Sequence, residues 1–286
     1  MSTVRTRKPH AALPRVLAVT SGKGGVGKST VSINLAIGLA TNGARVTLLD
    51  ADLGLANIDV MLGLKATRTL QQVIAGECEL NDVVLEGPHG IRIVPGASGV
   101  QHMAELSNAE RSGLIRAFND LETMSDWLVI DTAAGIAANT LQFCESAQEV
   151  LVVVCEDPAS ITDAYATIKV LNQRSGRRRF RVLVNQVRAD VDAQTIYKRL
   201  LTATDRFLDV VLELAGSIPY DRQVSSAARR RLPLITTYPE SSAAQAFKKL
   251  AGVADMWPRP QGASGGLEFF LEKMVHANHM GRHAHA

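Results

Sequence analysis

The chain has 286 residues, 46% hydrophobic and 21% charged, with a formal net charge of +3, a composition that suits a well-cored globular protein and argues only weakly for nucleic acid. No apolar run approaches the about 18–20 residues that span a bilayer, and the first ten residues hold no apolar h-region, so no membrane span or secretory leader is expected. Cys78, Cys144 and Cys155 are scattered without C-x-x-C, which fits reduced thiols and a cytoplasmic location.

Residues 1–14 read as a flexible N-terminal segment. The apolar run Arg15-Val-Leu-Ala-Val-Thr20 then reads as a buried strand, and Val31-Ser-Ile-Asn-Leu-Ala-Ile-Gly-Leu-Ala40 has helical spacing. Between them lies Gly22-Lys-Gly-Gly-Val-Gly-Lys-Ser29, a phosphate-binding loop of the form G-x-x-x-x-G-K-[ST] in the strand–loop–helix context it requires. Gly24, Gly25, Val26 and Gly27 bring backbone N–H groups to phosphates, because glycine lets the chain approach closely. Lys28 reaches toward the β- and γ-phosphates, Ser29 offers its hydroxyl to Mg²⁺, and Thr30 follows on the helix.

Strands are expected near 15–20, 45–50, 91–94, 127–131, 149–154, 181–185 and 211–217. Helices are expected near 28–41, 68–75, 107–120, 160–174, 192–203, 224–230 and 241–251. Repeated strand–helix alternation predicts an α/β fold, a mostly parallel sheet with helices on both faces. Arg45-Val-Thr-Leu-Leu-Asp50 is a strand ending in an acid, with Asp52 two residues on and on the same side. Alone, that pair is equally consistent with an Asx turn. Asp126-Trp-Leu-Val-Ile-Asp131 is a further apolar strand ending in an acid, followed by Thr-Ala-Ala-Gly135. Asn185-Gln-Val-Arg188 ends the strand at 181–185 and lacks the acid that a guanine site of the form N-K-x-D needs, which favours ATP over GTP. Asn185 by itself also reads as an ordinary strand cap.

One residue goes beyond the general loop motif. Lys23 is a second lysine inside it, and Gly-Lys-Gly-Gly-Val-Gly-Lys resembles the deviant Walker A loop of the MinD/ParA family of P-loop ATPases. Asp50-Ala-Asp-Leu-Gly-Leu-Ala-Asn57 resembles that family's A′ element, and Asp131-Thr-Ala-Ala-Gly135 its Walker B and switch II element. The resemblance implies a P-loop NTPase that binds ATP and Mg²⁺, with a metal shell of Ser29, Asp50 and Asp131. It implies that Asp52 orients the attacking water and that Lys23 reaches a partner's nucleotide in an ATP-dependent homodimer. It also implies that Asn185 contacts adenine and that Ile218-Pro-Tyr-Asp221, through Pro219 and Asp221, lines the base. Further stretches resemble the flagellar-number regulators of this family: Ile91-Arg-Ile-Val-Pro-Gly-Ala-Ser-Gly99, Ser160-Ile-Thr-Asp-Ala-Tyr165 and Leu267-Glu-Phe-Phe270. The implied function is slow, regulatory ATP hydrolysis coupled to restraint of a flagellar master transcription activator. The alternative is a ParA-like partition ATPase acting on DNA or cargo. Iron–sulfur relatives are disfavoured by the scattered cysteines.

The P-loop domain is read as 15–257 and a Pro/Gly linker as 258–266. Residues 267–276 form an amphipathic helix whose stripe is Leu267, Phe270, Leu271, Met274 and Val275. It reads as a contact to membrane, peripherally at the inner membrane, or to a partner, and alternatively as a helix packed on its own domain. Glu268 and Glu272 against Lys273 make a less basic face than membrane-surface helices carry. The His-rich tail 277–286 reads as disordered. Two basic clusters, Arg174 to Arg181 and Arg229 to Arg231, read first as solvated helix termini rather than as a DNA surface.

Overall fold

A computed structural model describes residues 14–52, 57–96, 125–188 and 192–259. Eight strands form one sheet in the order β3-β4-β2-β5-β1-β6-β7-β8. They are β1 (Arg15–Ser21), β2 (Val46–Ala51), β3 (Leu85–Glu86), β4 (Arg92–Val94), β5 (Trp127–Ala134), β6 (Glu149–Val154), β7 (Arg179–Val187) and β8 (Val211–Pro219). All neighbours run parallel except the edge pair β3 and β4. The described helices of four residues or more are α1 (Lys28–Thr41), α2 (Ile58–Met61), α3 (Leu70–Ile74), α4 (Ala138–Ser146), α5 (Pro158–Ser175), α6 (Ala193–Phe207), α7 (Arg222–Arg229), α8 (Leu234–Thr237) and α9 (Ser242–Asp255).

The strands read as unbroken apolar runs because both faces of the sheet are covered. Alternate residues feed two cores. Val16, Ala18, Leu128, Ile130, Val150 and Val152 join one cluster with α4, α5 and α6. Leu17, Val19, Trp127, Val129, Leu151 and Val153 join the other with α1 and α9. Helix α1 is buried over Val31–Leu39, so its sequence is apolar on nearly every side. Gly38 allows its close approach to α9, where an added β-carbon would stand 2.8 Å from that of Ala251. The helix ends at Asn42, and Gly43 follows at φ 97°, the left-handed turn that glycine permits.

The expected strands correspond to β1, β2, β4, β5, β6, β7 and β8. Helix α4, which follows β5, was not anticipated, because its nine residues lie between a glycine turn and a strand. The expected helix at 107–120, the amphipathic helix at 267–276, the tail and nearly all of both flanking segments lie outside the described residues.

The first basic cluster is committed to the fold. Arg174 pairs with Glu145 at 2.7 Å, Arg178 with Asp209 at 3.0 Å and Arg179 with Glu213 at 2.6 Å. Arg181 is buried between Glu149 and Glu213 and stacks over Trp257 at 4.4 Å. Arg177 donates to the carbonyls of Cys144, Ala147 and Gln148, closing the C-terminal end of α4. Arg177 and Arg181 are thus built into the fold, whereas Arg174, Arg178 and Arg179 form ion pairs at the surface, with side chains 49%, 74% and 48% exposed. The second cluster, Arg229 to Arg231, is exposed.

Candidate functional site

The loop Gly22–Ser29 leaves β1, a central strand, at the carboxyl edge of the sheet, where open α/β folds bind their ligands. Gly25 and Gly27 take φ values of 81° and 89°, a region that side chains strain to adopt. A β-carbon added at Gly24 or Gly25 meets nothing within 4 Å, so this part of the loop is open backbone. At Gly22 it would lie 2.1 Å from the carbonyl carbon of Asp163 on α5, so that glycine is fixed by packing.

Two amides at the end of β7 hold the loop from the other side. Asn185 Nδ2 donates to the Val26 carbonyl at 2.7 Å, and Gln186 Nε2 to that of Gly25 at 3.4 Å. Val26 itself is buried in the core under the loop. The turn after β5 is tied to the same place, since the Gly135 N–H donates to the Ser21 carbonyl at 2.8 Å.

Beneath the loop, Lys28 Nζ lies 2.9 Å from Asp131 Oδ1, with both side chains buried. Ser32, one turn along α1, donates to the same oxygen at 2.8 Å. Asp50 and Asp131 are cross-strand neighbours in the register of β2 and β5. Both oxygens of Asp50 are occupied by backbone donors. Asp52 N–H reaches Oδ1 at 3.2 Å, while Asn57 and Ile58 N–H reach Oδ2 at 2.9 and 3.1 Å. Burial raises the Asp50 carboxyl to about 6; those three N–H groups oppose the shift and Asp131 adds to it. Asp50 thus staples the start of α2 to the strand that carries it. Asp52 begins the connection into 53–56, which lies outside the described residues.

Lys23 forms an ion pair with Asp157 of its own chain. That contact raises the lysine above its ordinary range and holds the carboxyl below its own. Asp157 also caps α5 by accepting from the Ala159 N–H at 3.2 Å. Ser29 and Thr30 are half-buried on the first turn of α1. Pro219 closes β8, and Asp221 lies beyond it as a double cap. Its carboxylate accepts from Gln223 N–H at 2.9 Å on α7, and from Ser242 Oγ at 3.1 Å and Ala243 N–H at 3.2 Å on α9.

The fold therefore brings Lys28, Asp50 and Asp131 together under the loop, with Lys23 beside it and Asn185 against its back. Ser32, Asp157 and Gln186 are the members that sequence reasoning passed over. Ser32 follows Lys28 by one helical turn, and Asp157 precedes Pro158 as an N-cap does, so a signal existed for both. Open glycine backbone, a buried lysine and adjacent carboxylates suit a nucleotide polyphosphate with a divalent cation. Cys78, Cys144 and Cys155 are free, and no group of three metal-binding side chains is assembled among the described residues. No described helix is long and apolar enough to cross a membrane.

A ParA family model, described as NUBPL iron-transfer P-loop NTPase, matches residues 12–254. The chain is 53% identical over 261 residues to the antiactivator FleN of Pseudomonas aeruginosa, spanning 91% of this chain and 93% of that protein. It is 34% identical to the flagellum site-determining protein YlxH of Helicobacter pylori, over 84% of this chain and 81% of the other. Among solved structures, the cell division ATPase MinD of Pyrococcus furiosus is similar with a TM-score of 0.70 at 25% identity, covering 86% of this chain and all of that one. The Pyrococcus horikoshii MinD complexed with Mg-ADP gives 0.68 at 26% identity, covering 85% and 97%.

Proposed function

This chain belongs to the ParA/MinD family of P-loop ATPases, which use ATP and Mg²⁺, and we propose that it is a dimerising switch that limits flagellar number by restraining a flagellar master transcription activator. The observation that carries this reading is the 53% identity to FleN over 91% of the chain. The second loop lysine, Lys23, supports the dimer.

Bound ATP supplies the phosphoryl group to be cleaved, and Mg²⁺ neutralises charge on it. The residues then divide the work. Lys28 exchanges its carboxylate partner Asp131 for phosphate oxygens. Ser29, Asp50 and Asp131 would hold the metal shell, and the backbone of Gly24, Gly25, Val26 and Gly27 would cradle the phosphates ahead of Thr30. Asp52 orients the attacking water. Lys23 leaves Asp157 and reaches the partner's nucleotide. Asn185 meets the adenine from the loop's back, and Pro219 and Asp221 line the base, Asp221 while also capping α7 and α9.

The dimer carries the activator-binding state, and hydrolysis ends it. The stripe at 267–275 is proposed to add peripheral contact with the inner membrane. Liposome flotation of wild type and Phe270→Glu with ATP and ADP tests that, and no flotation in any state would remove it. For the partition-type alternative, Arg174, Arg178 and Arg179 have carboxylate partners that a DNA phosphate would have to displace.

Deleting the gene in its host tests the function. Extra flagella and raised flagellar transcription are expected. Normal flagellar number and transcription in a clean deletion would overturn the reading.

A further inference from the structure

We propose that Ser32 is a positioning residue of this ATPase, whose hydroxyl holds Asp131 in place when Lys28 is drawn away to nucleotide. The inference rests on the ATPase reading above. It starts from one oxygen. Asp131 Oδ1 receives Lys28 Nζ at 2.9 Å and Ser32 Oγ at 2.8 Å, and all three side chains are buried. The Ser32 hydroxyl also lies 3.1 Å from the Lys28 carbonyl, the ordinary i−4 acceptor for a serine in a helix. A hydroxyl has one proton to give. Of the two acceptors the carboxylate is closer and charged, so it takes the stronger bond. Ser32 therefore spends its donor on the site and not on its own helix.

The consequence appears when Lys28 changes partner. Lys28 and Asp131 are on different elements, α1 and β5, and pair at 2.9 Å. Phosphate oxygens compete for the same ammonium. Once Lys28 turns to them, Asp131 keeps one side-chain donor among the described residues. That donor is Ser32, on the buried helix face against β5. A carboxylate held at one oxygen by a neutral donor keeps its other oxygen in a fixed direction, so that it could face a bound metal, as hydrogen bonds to ligating carboxylates do. Without Ser32, Asp131 depends wholly on Lys28. The carboxylate is then loose when the metal is bound.

The test is binding of a fluorescent ADP, with saturating Mg²⁺ and with EDTA, to full-length wild type, Ser32→Ala and Ser32→Thr. Ser32→Ala is expected to lose roughly tenfold of the Mg²⁺-dependent gain in affinity, the scale of one hydrogen bond to a charged group. Its affinity in EDTA should change by no more than about threefold, since loop contacts are retained. Ser32→Thr, which keeps the hydroxyl, should retain the Mg²⁺ gain. An undiminished Mg²⁺ gain in Ser32→Ala would overturn the proposal, and so would equal losses with and without the metal. A Ser32→Ala chain that melts far below wild type would overturn it too, because the hydroxyl would then serve the fold. If wild type binds no nucleotide at all, the ATPase reading fails instead.

Discussion

Lys23 and Asp157 of one chain are ion-paired beside the phosphate loop, although the lysine is the residue proposed to reach a second chain. In the proposed dimer the two partners draw on the same ammonium, so the negative charge of Asp157 holds Lys23 back from a partner's nucleotide. Asp157 is thus a competitor for the dimer. Both side chains are about two-fifths exposed, at 42% and 41%, so solvent screening keeps the competition weak. Asp157→Asn retains the cap on α5 and removes the charge. It should tighten the ATP-bound dimer by no more than about fivefold, measured by sedimentation equilibrium. A weaker dimer in this variant would mean that Asp157 contributes to the interface.

The loop glycines should separate into two kinds. Gly22→Ala places a methyl against the Asp163 backbone, which has no freedom to yield, and should cost about 1–3 kcal/mol of stability. Gly24→Ala enters open space, so the empty chain should melt within about 0.5 kcal/mol of wild type. Chemical denaturation of both variants checks this, and equal losses would contradict the packing described.

Much of this was legible beforehand for a physical reason. Strands buried on both faces give unbroken apolar runs, so β1, β2, β5 and β6 announced themselves, and the loop motif fixed the start of α1. What could not be read was partnership over distance. Nothing local tells that Arg178 and Arg179 find Asp209 and Glu213 on the way into and along β8. Nor does the sequence show that Asp50 gives one oxygen to the N–H groups of Asn57 and Ile58, seven and eight residues away. Asp221 was read as lining a base because its segment matched a motif; its double capping role depends on α9, which arrives twenty residues later.

The Asp50 carboxyl has a definite sign in stability. Its value in the folded chain, about 6, lies above the ordinary 3.8. Between those values the folded state binds the extra proton, so this group makes stability fall as pH rises from about 4 to 6. Its cost at pH 7 is of order 3 kcal/mol at most. Asp157 and Asp221 are shifted downward and contribute below that window. Metal-free, nucleotide-free wild type should therefore show a falling component between pH 4 and 6 that Asp50→Asn lacks. Identical pH profiles for the two chains would contradict the burial assigned to Asp50.

Binding and hydrolysis should come apart at Lys28 and Asp52. Lys28→Ala removes the loop's charge and leaves Asp131 buried without its cation, so nucleotide binding should be lost and stability should fall by about 3 kcal/mol. Asp52→Ala leaves that pair intact. It should bind ATP and lose turnover by roughly 10²-fold, the scale of one general base. Wild-type turnover in Asp52→Ala would assign the water to another group.

The central claim is that ATP converts this chain into a dimer through Lys23. Light scattering of wild type and Lys23→Ala, each with a non-hydrolysable ATP analogue and with ADP, tests it most directly. Wild type should double its mass with the ATP analogue alone, and Lys23→Ala should keep its nucleotide affinity but show no change in mass. A wild type that stays monomeric at saturating ATP analogue, or a Lys23→Ala chain that dimerises as wild type does, would contradict it.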